Sequence, residues 1–109
     1  MAIKANIVID QGTSFATTID VTDVDGNVID LTDFTGAAQM RKHYTSSTYY
    51  AFAVAISAET GEVTLSMNAN TTNNIAPGRY MYDCELTDTA GTVSRIVEGI
   101  VTVTPGVTR

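Results

Sequence analysis

Short apolar segments alternate with polar, turn-forming segments along the whole chain of 109 residues. The chain contains eighteen threonines, and β-branched side chains suit a pleated sheet. No segment of useful length has a helical period, although one helical turn is expected within residues 68–78, ended before Pro77. Short strands separated by turns at intervals of roughly 10–15 residues favour a sandwich or a barrel. The predicted strands are 3–9, 13–21, 28–31, 37–43, 50–57, 62–68, 79–87 and 92–104.

Three turns share one layout, with glycine in the fourth position and valine two residues later. They occupy residues 23–26, 58–61 and 88–91. Glycine accepts the positive φ that closes a hairpin, so one hairpin solution used three times is expected. A four-residue loop at 58–61 sets apolar residues opposite one another, which a three-residue loop would not do. The predicted pairs are Val21–Val28, Ile56–Val63, Val54–Leu65, Phe52–Met67 and Leu86–Val93.

The last hairpin has two usable faces. Arg95 falls on the face assigned to the core, so it either extends to solvent, finds a partner, or is displaced by a bulge near Gly99. On the opposite face, Ile96 and Ile100 lie among charged residues. These two isoleucines are either scattered surface residues or a contact with a neighbouring subunit. The predicted core face comprises Tyr80, Tyr82, Cys84, Leu86, Val93 and Val97.

The formal net charge of −6 argues against a nucleic-acid partner, because phosphate would repel the protein. Six aspartates and a single lysine fall within the first 35 residues, which indicates solubility or an acidic docking surface. Cys84 is the only cysteine, so no intrachain disulfide is expected, in keeping with a reducing compartment. No run approaches the roughly 18 apolar residues of a membrane span, and the first residues do not resemble a signal peptide.

No residue pattern predicts catalysis, a cofactor or a metal. His43 is the only histidine, without a nucleophile motif or further zinc ligands nearby. A calcium loop starting at Asp23 would need Gly and Glu where Val28 and Phe34 stand. A looser cation site from Asp23, Asp25 and Asn27 is the alternative to a plain turn. Asp83 and Glu85 are close along one strand but are expected to point outward.

The segment RKHYTSSTYY at 41–50 is the most suggestive surface in the sequence. Tyrosine, serine and basic side chains make adaptable contacts at a low entropy cost. The segment is therefore either a binding loop for a protein or a glycan, or a hairpin connection whose tyrosines pack on the sheet edge. The predicted contact residues are Arg41, Lys42, Tyr44, Tyr49 and Tyr50, followed by Ile96 and Ile100.

The order of several motifs resembles a known family. DLTDFTG at 30–36 precedes a strand ending in MRK at 40–42, and GEVTLSM, APGRYMYDCELTD and EGIVTVTPGVTR follow at 61–67, 76–88 and 98–109. This set resembles small immunoglobulin-like β-sandwich virion proteins of tailed bacteriophages, particularly of marine T4-like phages. It is similar, more distantly, to the N-terminal domain of the baseplate upper protein of lactococcal phages. The resemblance covers residues 28–109.

The resemblance implies an all-β, antiparallel, two-sheet sandwich of immunoglobulin type with about seven to nine strands. A chain of 109 residues has the common size of one domain, so residues 1–109 are expected to form a single domain. The resemblance also implies a non-enzymatic structural protein of the virion, in a baseplate, tail or head-surface layer, assembled in the host bacterial cytoplasm. The expected partners are other virion proteins and further copies of this chain, without nucleic acid, membrane or cofactor. Baseplate upper proteins continue into further domains, so a small accessory subunit is favoured.

A carbohydrate- or receptor-binding module is the alternative from another class. Such modules often use a planar row of exposed aromatic residues. This chain has no tryptophan, and its tyrosines lie partly in a predicted core strand. An enzyme is the third alternative, for which the sequence offers no site.

Overall fold

The structure is a computed structural model that describes residues 3–22 and 25–107, and nearly all of its regular structure is β-strand. The all-β prediction is therefore confirmed. A single short helix, α1 (Ala69–Asn73), lies between the sixth and seventh strands of this described part. The strands are β1 (Ile3–Lys4), β2 (Ile7–Asp10), β3 (Phe15–Asp20), β4 (Thr35–Arg41), β5 (Tyr50–Ser57), β6 (Glu62–Met67), β7 (Gly78–Thr87) and β8 (Val93–Thr104).

The strands form one mixed sheet in the order β1-β8-β7-β4-β5-β6-β3, with β2 also paired to β8. β1 and β2 run parallel to β8, and all the other pairs are antiparallel. The prediction of an antiparallel fold is therefore wrong for these two strands. The sheet curls into half of a barrel. Strand β5 is divided at the curl, because residues 50–52 pair with β4 whereas residues 53–57 pair with β6.

The core lies inside the curl and is built by alternation along the strands. The ring of Phe52 on β5 lies 6.1 Å from the ring of Phe15 on β3 and 6.1 Å from the ring of Tyr82 on β7, measured between centroids. Phe52 thus joins the two limbs of the sheet. Around these rings pack the most deeply buried apolar side chains, namely Ile9, Leu31, Met40, Val63, Leu65, Ile75, Cys84, Val97, Val101 and Val103.

The N-terminal segment is interrupted between β1 and β2 without losing its register on β8. Ile3 pairs with Val97 and Ile7 pairs with Val101, so the sequence offset is the same on both sides of the break. At the break, the side-chain Oδ1 of Asn6 accepts a hydrogen bond of 3.1 Å from the backbone N–H of Ile100. The side chain of Asn6 therefore substitutes for a backbone acceptor.

The helical turn expected in 68–78 is confirmed as α1, and its sequence explains where it begins. The side chain of Asn68 caps the helix by accepting a hydrogen bond of 2.8 Å from the N–H of Thr71. The buried hydroxyl of Thr72 donates to the carbonyl of Thr13 at 2.7 Å and accepts from the N–H of Gly12 at 3.1 Å. These bonds fix the helix against the bend between β2 and β3.

The turn at 58–61 has the predicted register, with Ile56 opposite Val63 and Val54 opposite Leu65. The β5–β6 pairing ends at Ala53, however, so the predicted pair of Phe52 with Met67 is wrong. Phe52 pairs with Ala38 on β4 instead, because β5 exchanges partners at this point.

The prediction of the same loop length at the other two turns is wrong. Leu86 pairs with Ser94, and Thr87 pairs with Val93, which leaves five residues, 88–92, in the loop. The Oδ1 atom of Asp88 accepts hydrogen bonds from the N–H groups of Ala90 and Thr92, each 2.9 Å, and this stabilises the longer loop.

The first turn also differs from the prediction. Val28 forms an isolated bridge with Thr22 rather than Val21, and the strand predicted at 28–31 does not form. Leu31 is instead buried in the core, with its N–H donating to the carbonyl of Ala58. Asp23 and Val24, in the same turn, lie outside the described residues, and so does part of the alternative cation site with Asp25 and Asn27.

A bulge explains the conflict at Arg95, but it lies at Ile96 rather than near Gly99. Cys84 pairs with Val97 and Glu85 pairs with Arg95, so Ile96 is an extra residue on β8. Side chains before the bulge change face. Val93 is consequently 55% exposed instead of belonging to the core. Ile96 is partly buried and packs against the core.

Candidate interaction surface

The connection between β4 and β5 is held in shape by Arg41, the last residue of β4. Its guanidinium donates to the carbonyl of Ser46 and, over 2.9 Å, to the side-chain oxygen of Gln39. The same group lies 4.8 Å from the ring centroid of Tyr49, in a cation–π contact. Arg41 thus contacts the middle and the last residue of the segment 42–49, which we call the β4–β5 connection.

Lys42 follows on the other side of the chain and covers a tyrosine. Its ammonium Nζ lies 4.9 Å from the ring centroid of Tyr80. The Tyr80 hydroxyl donates a hydrogen bond of 2.6 Å to the carbonyl of Ala76, and the Tyr50 ring meets the Tyr80 ring edge-on at 6.1 Å. Burial raises the pKa of Tyr80, with a smaller contribution from Tyr50. The hydroxyl of Tyr80 is therefore a hydrogen-bond donor at neutral pH.

A groove of about 470 Å³ opens between the β4–β5 connection and the segment before β7. We call it the basic-end groove. Its lining combines two cations with several hydroxyl groups, and no carboxylate of the described residues lines it. The lining residues are Arg41, Lys42, Ser46, Ser47, Thr48, Tyr50, Ala76 and Tyr80.

A second, more charged cavity of about 310 Å³ lies on the outer face of β4, β7 and β8. Arg95 lines it, with Nε 3.2 Å from the Asp83 carboxylate and NH1 3.0 Å from the Glu98 carboxylate. The hydrogen bond from Glu98 and then the charge of Asp83 raise the pKa of Arg95. Tyr44, which is 83% exposed, lines the same cavity.

The structure brings most of the sequence-predicted contact residues to one region. Arg41, Lys42 and Tyr50 line the basic-end groove, and Tyr49 stacks on Arg41. Tyr50 is half-buried, so this tyrosine packs on the core and also lines the groove.

The two isoleucines lie apart from the β4–β5 connection and from each other. Ile100 is 42% exposed on the outer face of β8, opposite Met81. Ile96 packs against the core because of the bulge, so the expectation that both share one outer face is wrong.

The sequence reasoning missed two sets of groove residues. Ala76 and Tyr80 come from a distant part of the chain, and alternation placed Tyr80 in the core. That assignment is correct for its ring but not for its hydroxyl. Ser46, Ser47 and Thr48 lie within the predicted segment 41–50, but nothing in the sequence distinguished them as individual contact residues.

The groups that could carry chemistry are separated. His43 is exposed on the β4–β5 connection, whereas Cys84 is fully buried. Burial, followed by the charges of Asp83 and Glu85, raises the pKa of the Cys84 thiol to about 11. Within residues 3–22 and 25–107, no group of three or more His, Cys, Asp or Glu side chains could hold a metal ion. In the same ranges, no helix is both long and apolar enough to cross a membrane.

Comparison with known proteins indicates the fold but no family. No family model matches the chain, and no curated protein matches it. Among 160 matching chains of solved structures is the internalin-like protein lmo2027 of Listeria monocytogenes, at 18% identity and a TM-score of 0.52. The match covers 94% of this chain and 28% of that protein, so the chain spans just over a quarter of its length. At this identity the likeness shows the fold alone, and a fold can host many functions.

Proposed function

We propose that this protein is a non-enzymatic structural component of a tailed-phage virion, in a baseplate, tail or head-surface layer, that works by contacting other virion proteins. The resemblance of residues 28–109 supports the family. The observation that carries a contact role is the β4–β5 connection, in which Arg41 bonds Ser46 and Gln39 and stacks on Tyr49. A connection fixed in this way loses little entropy on binding, because its ordering cost is met during folding.

The exposed groups on this connection suit a protein partner. Tyr44 extends into solvent at the rim of the outer-face cavity, and Tyr49 remains 47% exposed although it stacks on Arg41. Tyrosine and arginine are enriched at the energetic centres of protein interfaces. Assembly in the host cytoplasm, and a final location in the particle, are parts of the same proposal.

We further propose that the curled sheet is organised as an immunoglobulin-like sandwich of two layers joined by β5. The exchange of partners between Phe52 and Ala53 supports this division, since one half of β5 belongs to each limb. Phe52 meets the ring of Phe15 on β3 at a tilt and the ring of Tyr82 on β7 edge-on, and these contacts between the two limbs support facing layers. An experimental structure tests the proposal, and a continuous, open wall from β3 to β8 would contradict it.

The decisive experiment is mass spectrometry of purified particles of the phage that carries the gene, with copy number measured against the capsid protein. We expect the protein in the particle at a fixed stoichiometry. Tyr44→Ala and Tyr49→Ala should lower its incorporation. Val8→Ala is a suitable control, because Val8 is exposed and apolar but lies on β2, away from the β4–β5 connection. Absence of the protein from washed particles would refute the proposal.

A glycan or receptor ligand is the second candidate, favoured by the hydroxyl groups of the basic-end groove. Ser46, Ser47 and Thr48 offer donors and acceptors suited to sugar hydroxyls. Lys42 covers the Tyr80 ring, however, so that ring face is not available for stacking on a sugar. Screening the protein on a glycan array separates the candidates: specific binding that Ser47→Ala and Thr48→Ala abolish would favour the glycan.

A further inference from the structure

The charged residues of this protein are sorted between the two ends of its strands. One end is marked by Thr87, which pairs with Thr35 on one side and with Val93 on the other. The turns at 58–61 and 88–92 lie at the same end. We call it the acidic end. Among the described residues, its turns carry no lysine or arginine. The nearest cation is Arg95, two residues inside β8, whose charge is already paired with Asp83 and Glu98. The carboxylates of the acidic end are Asp20, Asp25, Asp30, Asp33, Glu59, Glu62 and Asp88.

The opposite end carries cations. Arg41 pairs with Met81, and Arg79 pairs with Thr102, so both lie where β4 ends and β7 begins. Lys42 follows directly, and Asp10 is the one carboxylate placed at this end among the described residues. The basic-end groove opens here. A molecule with a formal net charge of −6 therefore has one positive end.

The two ends are too far apart to neutralise each other within one molecule. β8 has twelve residues and spans roughly 40 Å, which is close to the longest dimension of 43 Å. The Debye length is about 10 Å at 0.1 M salt, so charges at opposite ends are screened from one another. Each end is available to a charge brought into direct contact.

The groove offers partners for a carboxylate that it does not itself supply. Lys42 has three ammonium donors, and within the described residues it contacts the Tyr80 ring but no carboxylate. The hydroxyls of Ser47 and Thr48 have no hydrogen-bond partner in the described part of the chain. An incoming carboxylate would find an ammonium and hydroxyl donors together.

We infer that the basic-end groove binds the acidic end of a second copy of this chain, head to tail. Glu59 is the carboxylate best placed to enter, since it is exposed within the tight turn at 58–61 and has no ion pair among the described residues. A contact between opposite ends uses two different surfaces, so it generates rows or rings of copies rather than a closed pair. The inference rests on the proposed function, because it names the partner of the same surface.

Sedimentation velocity of the purified full chain tests the inference. We expect concentration-dependent association at about 0.1 M salt. At about 1 M salt, where the Debye length falls to about 3 Å, the association should be lost. A monomer at every salt concentration and at protein concentrations up to about 1 mM overturns the inference, and so does association that salt strengthens.

Charge exchange then identifies the contact. Lys42→Glu and Glu59→Lys should each raise the dissociation constant by roughly tenfold or more, because like charges then meet. An equimolar mixture of the two variants should associate again, since every contact in an alternating row pairs opposite charges. Lys4→Glu is the matched control, because it makes the same charge change at β1, outside the groove, and should leave association unchanged. Equal effects of Lys42→Glu and Lys4→Glu overturn the inference.

The composition of purified particles separates a failure of the head-to-tail contact from a failure of the proposed function. A protein that is monomeric in solution but present in purified particles refutes only the head-to-tail contact. A protein that associates head to tail but is absent from particles refutes only the virion role.

Discussion

The hydroxyl of Tyr82 donates a hydrogen bond of 2.6 Å to the carbonyl oxygen of Ala5, which lies 77 residues earlier in the chain. The bond joins β7 to the break between β1 and β2. Gly99 makes it possible, because Gly99 is the residue paired with Tyr82 and a Cβ there would collide with the Ala5 carbonyl. The attachment of β1 and β2 therefore depends on Tyr82 of β7 and Gly99 of β8.

Removing the Tyr82 hydroxyl and filling the space beside Gly99 should each destabilise the protein. Tyr82→Phe should lower the free energy of unfolding by about 1 kcal/mol, the usual value of one hydrogen bond. Gly99→Ala should cost about 1–3 kcal/mol, because β1 and β2 must shift. Urea unfolding measures both. Tyr44→Phe is the control and should have no effect, and an equal loss in that variant would contradict this account.

Two glycines with positive φ should respond differently to alanine. Gly61 has φ 65°, and a Cβ there would lie 2.6 Å from Cγ1 of Val28 and 2.9 Å from the Ile29 carbonyl. Gly91 has φ 87°, but a Cβ there would meet nothing within 4 Å. Gly91→Ala should cost about 1 kcal/mol from backbone strain alone, and Gly61→Ala clearly more, from strain plus overlap. Thermal unfolding of the two variants side by side tests the difference.

Alanine substitutions of two tyrosines near the β4–β5 connection should have different effects on stability, because one ring is packed and the other is exposed. Tyr50→Ala should lower the free energy of unfolding by roughly 1–3 kcal/mol, because its ring packs on the core and on Tyr80. Tyr44→Ala should stay within about 0.5 kcal/mol of the parent protein, since its side chain is largely in solvent. Chemical denaturation measures both. A Tyr50→Ala variant of unchanged stability would show that its ring is not part of the core.

Stability should fall at alkaline pH because two neighbouring core groups resist ionisation. Burial raises the pKa of Tyr82 to about 12, and that of Cys84 to about 11, from ordinary values of 10.0 and 9.0. The unfolded chain loses these protons first, so their contribution is intact below about pH 9 and is lost as the pH rises from 9 to 12. Unfolding midpoints across that range should fall, and the fall should be smaller in Tyr82→Phe.

Thiol labelling provides an independent measurement of the same burial. At pH 8 the folded protein should react with a thiol reagent far more slowly than the urea-unfolded protein, because Cys84 is covered and protonated. Equal rates in the two states would contradict the placement of Cys84.

Local alternation predicted the strands well but could not predict where their pairing changes. The turn at 58–61 follows from Gly61 and the apolar residues on both sides of it, all of which are adjacent in sequence. The five-residue loop at 88–92 depends on side-chain hydrogen bonds from Asp88, whose choice among loop lengths is not visible in a hydrophobic pattern. The bulge at Ile96 is likewise not visible in a hydrophobic pattern. It places Val93 on the other face of the sheet, because one extra residue reverses the alternation of the side chains.

Only part of the candidate site could be predicted from the sequence. Arg41, Lys42 and Tyr50 are close together in the chain, so their polarity and aromatic content marked the segment. Tyr80 and Ala76 complete the groove through the pairing of β4 with β7, a contact between distant segments. The sorting of charge to two ends likewise needs the strand directions, since the acidic turns are scattered between residues 20 and 88.

The parallel pairing of β2 with β8 determines how this protein would bear tension. A pull applied through Ile3 and Thr104 draws the two strands past each other along their length, because both run in the same direction. Their hydrogen bonds are then loaded side by side and must break together, whereas bonds in a hairpin pulled from its open end break one after another. The sheet is thus built to resist stretching between Ile3 and Thr104, a property useful to any component that transmits force.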